Sequence, residues 1–165
     1  MKVLLAIDGS PHSEVAIAEV TRRPWPAGTE VLVLTVIHAT APNVPDPSFV
    51  LAAAHVQQTQ ELYAQAPALV SGACEQLRRA VPDLTVQTTV DEGSPKGVIL
   101  QTAKTWGADL IVVGSHGYGR IRNLVLGSVA HGVLTEAPCS VLVARTKQVA
   151  DNAETTLAAP VTVCH

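Results

Sequence analysis

Aromatic residues are scarce in this chain, with one Phe, two Trp and two Tyr among 165 residues. Single-stranded nucleic acid is held largely by bases stacking on aromatic rings, and such platforms are missing. Clustered cationic residues are missing too. Eleven Lys and Arg stand against 14 Asp and Glu, a net charge of −3, and nothing resembles the basic stripe that displaces counterions from a nucleic-acid backbone. Nucleic acid is therefore not an expected partner, whereas a small anionic ligand remains compatible. The three cysteines, Cys74, Cys139 and Cys164, are odd in number and far apart, without the paired spacings of zinc sites or disulfide frameworks. A reducing, cytoplasmic location is the expectation. No apolar run reaches membrane-spanning length, and the first, residues 3–7, stops at Asp8, too short for a signal-peptide core.

What is present is a chain 47% hydrophobic and 15% charged, ordinary for one soluble domain with a radius of gyration of roughly 15 Å. Continuous apolar runs at residues 2–7, 31–37, 109–113 and 140–144 read as strands buried on both faces, the mark of parallel pairing. Residues 84–90 alternate apolar and polar, which predicts an edge strand with one wetter face. Between them lie helical patterns. Ser10-Pro11 caps and starts the first helix, with Val15, Ile17 and Ala18 as its apolar face and its end near Pro24. Residues 49–80 read as a second helix interrupted or kinked at Pro67, after a proline-rich loop at 41–48. Ser94-Pro95 repeats the cap-and-proline start, followed by the stripe Val98, Ile99, Thr102, Ala103 and Trp106. Gly127-Ser128 opens the last helix, which buries Val129, Val133 and Leu134 and stops at Pro138. Such alternation of strand and helix implies right-handed crossovers and a mostly parallel α/β sheet with helices on both faces. The domain spans residues 1–146, and 147–165, polar and rich in Ala and Thr, is expected to be a flexible tail.

An open parallel sheet binds ligands beyond the carboxyl ends of its strands. The residues leaving those ends are Asp8-Gly9-Ser10, Ile37-His38 and the run from Gly114 to Arg120. Gly114, Gly117 and Gly119 let backbone N–H groups approach a ligand, and the helix opened by Gly127-Ser128 adds unpaired donors and a partial positive charge. Together they would make an anion cradle. The alternative is that these glycines only turn the chain. The Lys-Ser/Thr pair of a Walker A loop is absent after Gly119, and the third glycine of the dinucleotide pattern is missing. Ser115-His116 are sequence neighbours without a Gly-x-Ser-x-Gly elbow, so a hydrolase triad is not indicated, and no histidines show metal-ligand spacing.

The order Gly114-x2-Gly117-x9-Gly127-Ser128, with Asp8 ending the first strand, Gly93-Ser94-Pro95 opening the third helix and the run Val112-Val113-Gly114-Ser115-His116-Gly117, closely resembles the universal stress protein family over roughly residues 1–145. The resemblance implies an open five-stranded parallel sheet in the order 3-2-1-4-5, of the Rossmann-like, adenine nucleotide alpha hydrolase-like kind, and an ATP-binding branch that carries this glycine pattern. By the same resemblance Ala6 and Asp8 lie by the adenosine and Val36 bounds the adenine. Val113 and Gly114 flank the sugar, and the backbone at His116, Gly117, Gly127, Ser128 and Val129 holds the phosphates. ATP would arrive with magnesium on its phosphate oxygens, since no carboxylate cage is visible. The family also implies a homodimer, and the last strand, from Cys139 to Arg145, is the apolar edge through which it would form. The expected function is a stress-response module that signals by nucleotide occupancy, with at most slow hydrolysis, because no general base is evident near a terminal phosphate. Three alternatives stand beside it: a dimeric scaffold without nucleotide, a binder of AMP or cyclic AMP, and an adenylating enzyme. The last typically needs a Ser-Gly-Gly-x-Asp-Ser type loop, where this chain has only Asp8-Gly9-Ser10.

Overall fold

Five strands and four helices alternate along the chain: β1 (Lys2–Ala6), α1 (Pro11–Thr21), β2 (Glu30–Ile37), α2 (Phe49–Ala80), β3 (Thr85–Glu92), α3 (Pro95–Trp106), β4 (Leu110–Gly114), α4 (Ser128–Glu136) and β5 (Ser140–Ala144). The computed structural model describes residues 1–38, 49–117 and 126–145, apart from the side chains of 49–56 and 58. The expectations for the loop at 41–48, for Gly119 and for the tail from 147 lie outside the described residues. The strands form one parallel sheet in the order β3-β2-β1-β4-β5, as the resemblance implied.

Alternation along the central strands divides the core in two. Val3, Leu5 and Ile7 join Val31, Val33 and Val112 beneath α1 and α2, which contribute Ala16, Ile17, Val20, Val70, Ala73 and Leu77. Leu4, Leu32, Leu34, Ile111 and Val113 pack with Ile99 and Ala103 of α3 and Ala130 and Val133 of α4. Both faces of β1 are thus covered, which explains its unbroken hydrophobic run. Each fully buried Leu, such as Leu5 or Leu34, contributes about 1.5–3 kcal/mol over leaving it in water. At the amino ends of the strands Lys2 fastens the sheet to α3: its backbone N–H donates to Asp109 Oδ2 at 2.6 Å and its Nζ to the Trp106 carbonyl at 3.2 Å.

Several local expectations are corrected. Ala18 of α1 is exposed, and the buried stripe is instead Ser13, Ala16, Ile17, Glu19 and Val20. Leu134 of α4 is half exposed, with Ala130, Gly132 and Val133 inward. Ser94 precedes α3 but its side chain makes no capping hydrogen bond, and α2, read as interrupted or kinked at Pro67, is not interrupted there. β3 does sit at the edge, yet its alternation is weaker than the pattern predicted, with Val86 as its one buried residue.

Candidate functional site

The turn after β1 is organised by the Asp8 carboxylate. Oδ1 accepts from the Ser10 N–H at 3.0 Å and from the Ser13 hydroxyl, while Ser13 Oγ accepts from the Asp8 N–H at 2.9 Å. This is the short-range hydrogen bonding with which Asp stabilises a turn. Gly9 between them has φ 81°, a left-handed conformation that favours glycine. Ser10 caps α1, its hydroxyl accepting from the Ser13 N–H at 3.3 Å. Asp8 is therefore held in one orientation at the carboxyl end of the central strand.

Beside it, the chain leaving β4 is clamped by its backbone. Ser115 N–H donates to the Ala144 carbonyl at 2.9 Å, and the Ser115 carbonyl accepts from the Gly127 N–H at 2.8 Å, tying the strand end to the start of α4. Each described glycine of the pattern is a point of close approach. A Cβ on Gly117 would lie 2.6 Å from Asp8 Oδ2, one on Gly114 2.8 Å from the His12 backbone, and one on Gly127 3.2 Å from His116 Cα. None of these three adopts positive φ, so space rather than backbone conformation demands glycine. Ser115, 2% exposed, places its hydroxyl 3.3 Å from His12 Nδ1 and 3.2 Å from His116 Nδ1.

These elements border a cleft of about 970 Å³. All of Ala6, Asp8, Val36, Val113, Gly114, His116, Gly117, Gly127, Ser128 and Val129 line it. Leu62, Gln65, Ala66 and Leu69 of α2 and Pro95 and Ile99 of α3, none of them among the residues expected from the sequence, complete the walls. Tyr63, on the same turn of α2, is influenced by Glu92 at the end of β3, whose carboxylate pushes the phenol up from the usual range. At the β2 end, His38 Nδ1 lies 3.0 Å from the Gly93 carbonyl. A carbonyl only accepts, so this nitrogen carries the proton. Among the described lining residues there is no Lys or Arg, and Asp8 is the one carboxylate. Among the described residues no group of three or more His, Cys, Asp or Glu is placed to hold a metal ion, and no helix is long and apolar enough to cross a membrane. What the arrangement offers a ligand is an apolar slot between β2 and α3, leading to backbone N–H groups at a helix start.

The model of the universal stress protein family matches residues 1–145. A universal stress protein of Thermus aquaticus is 35% identical over 148 residues, covering 87% of this chain and 97% of that protein. Among solved structures, the universal stress protein UspA from Lactobacillus plantarum superposes with a TM-score of 0.72 at 23% identity, covering 88% of this chain and 97% of that one. A universal stress protein family protein from Arabidopsis thaliana, solved with AMP bound, gives a TM-score of 0.58 at 18% identity, covering 87% and 90%.

Proposed function

The chain belongs to the universal stress protein family, and from that premise we propose that it is a cytoplasmic binding module that takes ATP in the cleft and acts through the occupied state. The observation that carries the reading is the set of glycines at the β4 end: a Cβ on Gly114 or Gly117 would collide with a neighbouring segment, and one on Gly127 would be tightly confined. That close approach concentrates N–H donors at the opening of α4, where a helix terminus favours phosphate. The base lies by Val36, the ribose between Asp8 and Val113-Gly114, and the phosphates against the backbone of His116, Gly117, Gly127, Ser128 and Val129, with magnesium on the phosphate oxygens. A homodimer forms by pairing through β5, an edge strand whose Val141, Leu142 and Val143 are only half-buried.

AMP is a second reading. The Arabidopsis neighbour holds it, and the described walls carry no Lys or Arg to neutralise a triphosphate. Calorimetric titration of the full chain with ATP and magnesium, and separately with AMP, decides between them. ATP should bind more tightly than about 100 µM, equivalent to roughly −5.5 kcal/mol. Absence of heat at that level refutes the ATP reading, and heat from AMP alone replaces it with the second.

A further inference from the structure

The nucleotide placement proposed above uses the chain leaving β1 and β4 and leaves the third strand end, Ile37-His38, without a part. His38 lines the cleft two residues beyond Val36, the residue set against the base. Its imidazole is held by a backbone carbonyl: Nδ1 donates to the Gly93 oxygen at 3.0 Å. Gly93 is itself fastened, its N–H donating to the Ile37 carbonyl at 3.0 Å. Its φ of 138° favours glycine, and Val98 Cγ2 lies 3.2 Å from where a Cβ would stand. These two bonds join the ends of β2 and β3, neighbours in the sheet, so the carbonyl that orients the ring is fixed by the fold.

A neutral imidazole that donates through one nitrogen accepts through the other. With the Nδ1 proton spent on Gly93, Nε2 is the acceptor, and among the described residues nothing hydrogen-bonds to it. Other polar side chains of the walls lack that bias. Thr35 Oγ1 donates to the Ile7 carbonyl at 2.7 Å, Asp8 and Ser13 bond each other at the end of β1, and Gln65 of α2 carries a donor and an acceptor on one amide. We propose that His38 is a specificity-determining residue: its Nε2 accepts from the 6-amino group of the base, so that the cleft selects adenine over a purine with a carbonyl at that position. This rests on the reading that the cleft takes an adenine nucleotide, ATP or AMP.

The selection follows from the polarity of the partner. An amino group donates, whereas the 6-carbonyl of hypoxanthine or guanine sets a lone pair against the lone pair of Nε2. The mismatch forfeits a hydrogen bond and desolvates two acceptors. Nor can the ring change tautomer to suit the carbonyl. Moving the proton to Nε2 would leave Nδ1 facing the Gly93 oxygen, acceptor against acceptor.

The test is calorimetry of the full chain with the magnesium complexes of ATP and ITP, which share ribose and phosphates and differ at the base edge, at about pH 8, above the ordinary imidazole range. ATP should bind at least about tenfold more tightly than ITP. Purine riboside triphosphate, with hydrogen in place of the amino group, should fall between them. His38→Phe keeps a ring on the wall without an acceptor, and His38→Gln offers donor and acceptor alike. Each should bring the ratio of ATP to ITP affinity to about threefold or less. Ring-nitrogen NMR of the unsubstituted chain depends on no variant: ATP should shift the His38 Nε2 resonance with the proton still on Nδ1, and ITP should not. Equal affinity for ATP and ITP, an Nε2 resonance unmoved by bound ATP, or a preference for ATP that survives both substitutions overturns the role of His38 alone. Absence of heat with both ATP and AMP overturns it together with the reading on which it rests.

Discussion

Gly117→Ala adds one methyl group at the point where the two strand-end loops meet, and the structure sets its cost. The new Cβ would lie 2.6 Å from Asp8 Oδ2, short of ordinary van der Waals separation by about 0.8 Å. One side must yield. If the carboxylate moves, it strains its bonds to the Ser10 N–H and the Ser13 hydroxyl, worth about 1 kcal/mol each. If the loop moves, Gly117 shifts away from Gly127 and the start of α4, where the phosphates are proposed to sit. Overpacking of this kind costs about 1–3 kcal/mol of stability. ATP affinity should fall at least about tenfold, or roughly 1.4 kcal/mol, with a larger loss in Gly117→Val. The assays are urea denaturation and calorimetric titration. The diagnostic variant is the double substitution with Asp8→Ala, which removes the obstructing oxygen; the stability cycle should show coupling of about 1 kcal/mol or more. Gly72→Ala is the control, because an added Cβ on this exposed face of α2 meets nothing within 4 Å and should stabilise by about 0.5–1 kcal/mol. Wild-type stability and affinity in Gly117→Ala, or strict additivity with Asp8→Ala, would refute the argument from close approach.

Two further outcomes follow from other parts of the fold. Glu19, buried on α1, accepts hydrogen bonds from Arg22 and Arg23, and the Arg22 bond, against the opposing effect of burial, holds its carboxyl below the ordinary carboxylate range. A depressed carboxylate contributes stability above its unfolded titration range and loses that contribution as pH falls through its folded one. Glu19→Gln should therefore lower the melting temperature at about pH 7, by an amount equivalent to about 1 kcal/mol or less because both arginines are largely exposed. The deficit should narrow below about pH 4, and an equal deficit at about pH 3 would show that packing, not charge, is responsible. The proposed β5 dimer predicts that light scattering of the chain at micromolar concentration gives twice the monomer mass and that Val141→Lys shifts it toward monomer with helix and strand content intact; a wild-type monomer would sink the interface.

The strands were legible because a parallel sheet covered on both faces demands continuous apolar runs, and β1, β2 and β4 have them; β5 has such a run too, but at the sheet edge it is only half-buried and not covered on both faces as expected. The helix faces were less so. Neighbouring positions on a helix differ by about 100°, so an apolar pair such as Val133-Leu134 does not reveal which member the sheet will cover. In α1 the inward stripe contains Ser13, a polar residue buried because its hydroxyl is bonded to Asp8, and hydrophobic periodicity has no means of finding it. The contact of His12 with Ser115 was equally invisible, since it exists only once β1 pairs with β4. The glycines of the pattern line the cleft, and the structure gives a physical reason for each. None of Gly114, Gly117 and Gly127 has a positive φ; at Gly114 and Gly117 another segment leaves no room for a side chain, and at Gly127 it leaves little. Gly114 meets α1 and Gly117 meets the end of β1, while Gly127 meets the chain leaving β4. Their spacing thus records tertiary proximity between segments that a linear reading cannot otherwise join. That is why the pattern marked the cleft while its supporting residues, Ser13, His12 and the α2 wall, stayed hidden: glycine is required by what approaches it, whereas a serine or histidine acquires its role only from what it approaches.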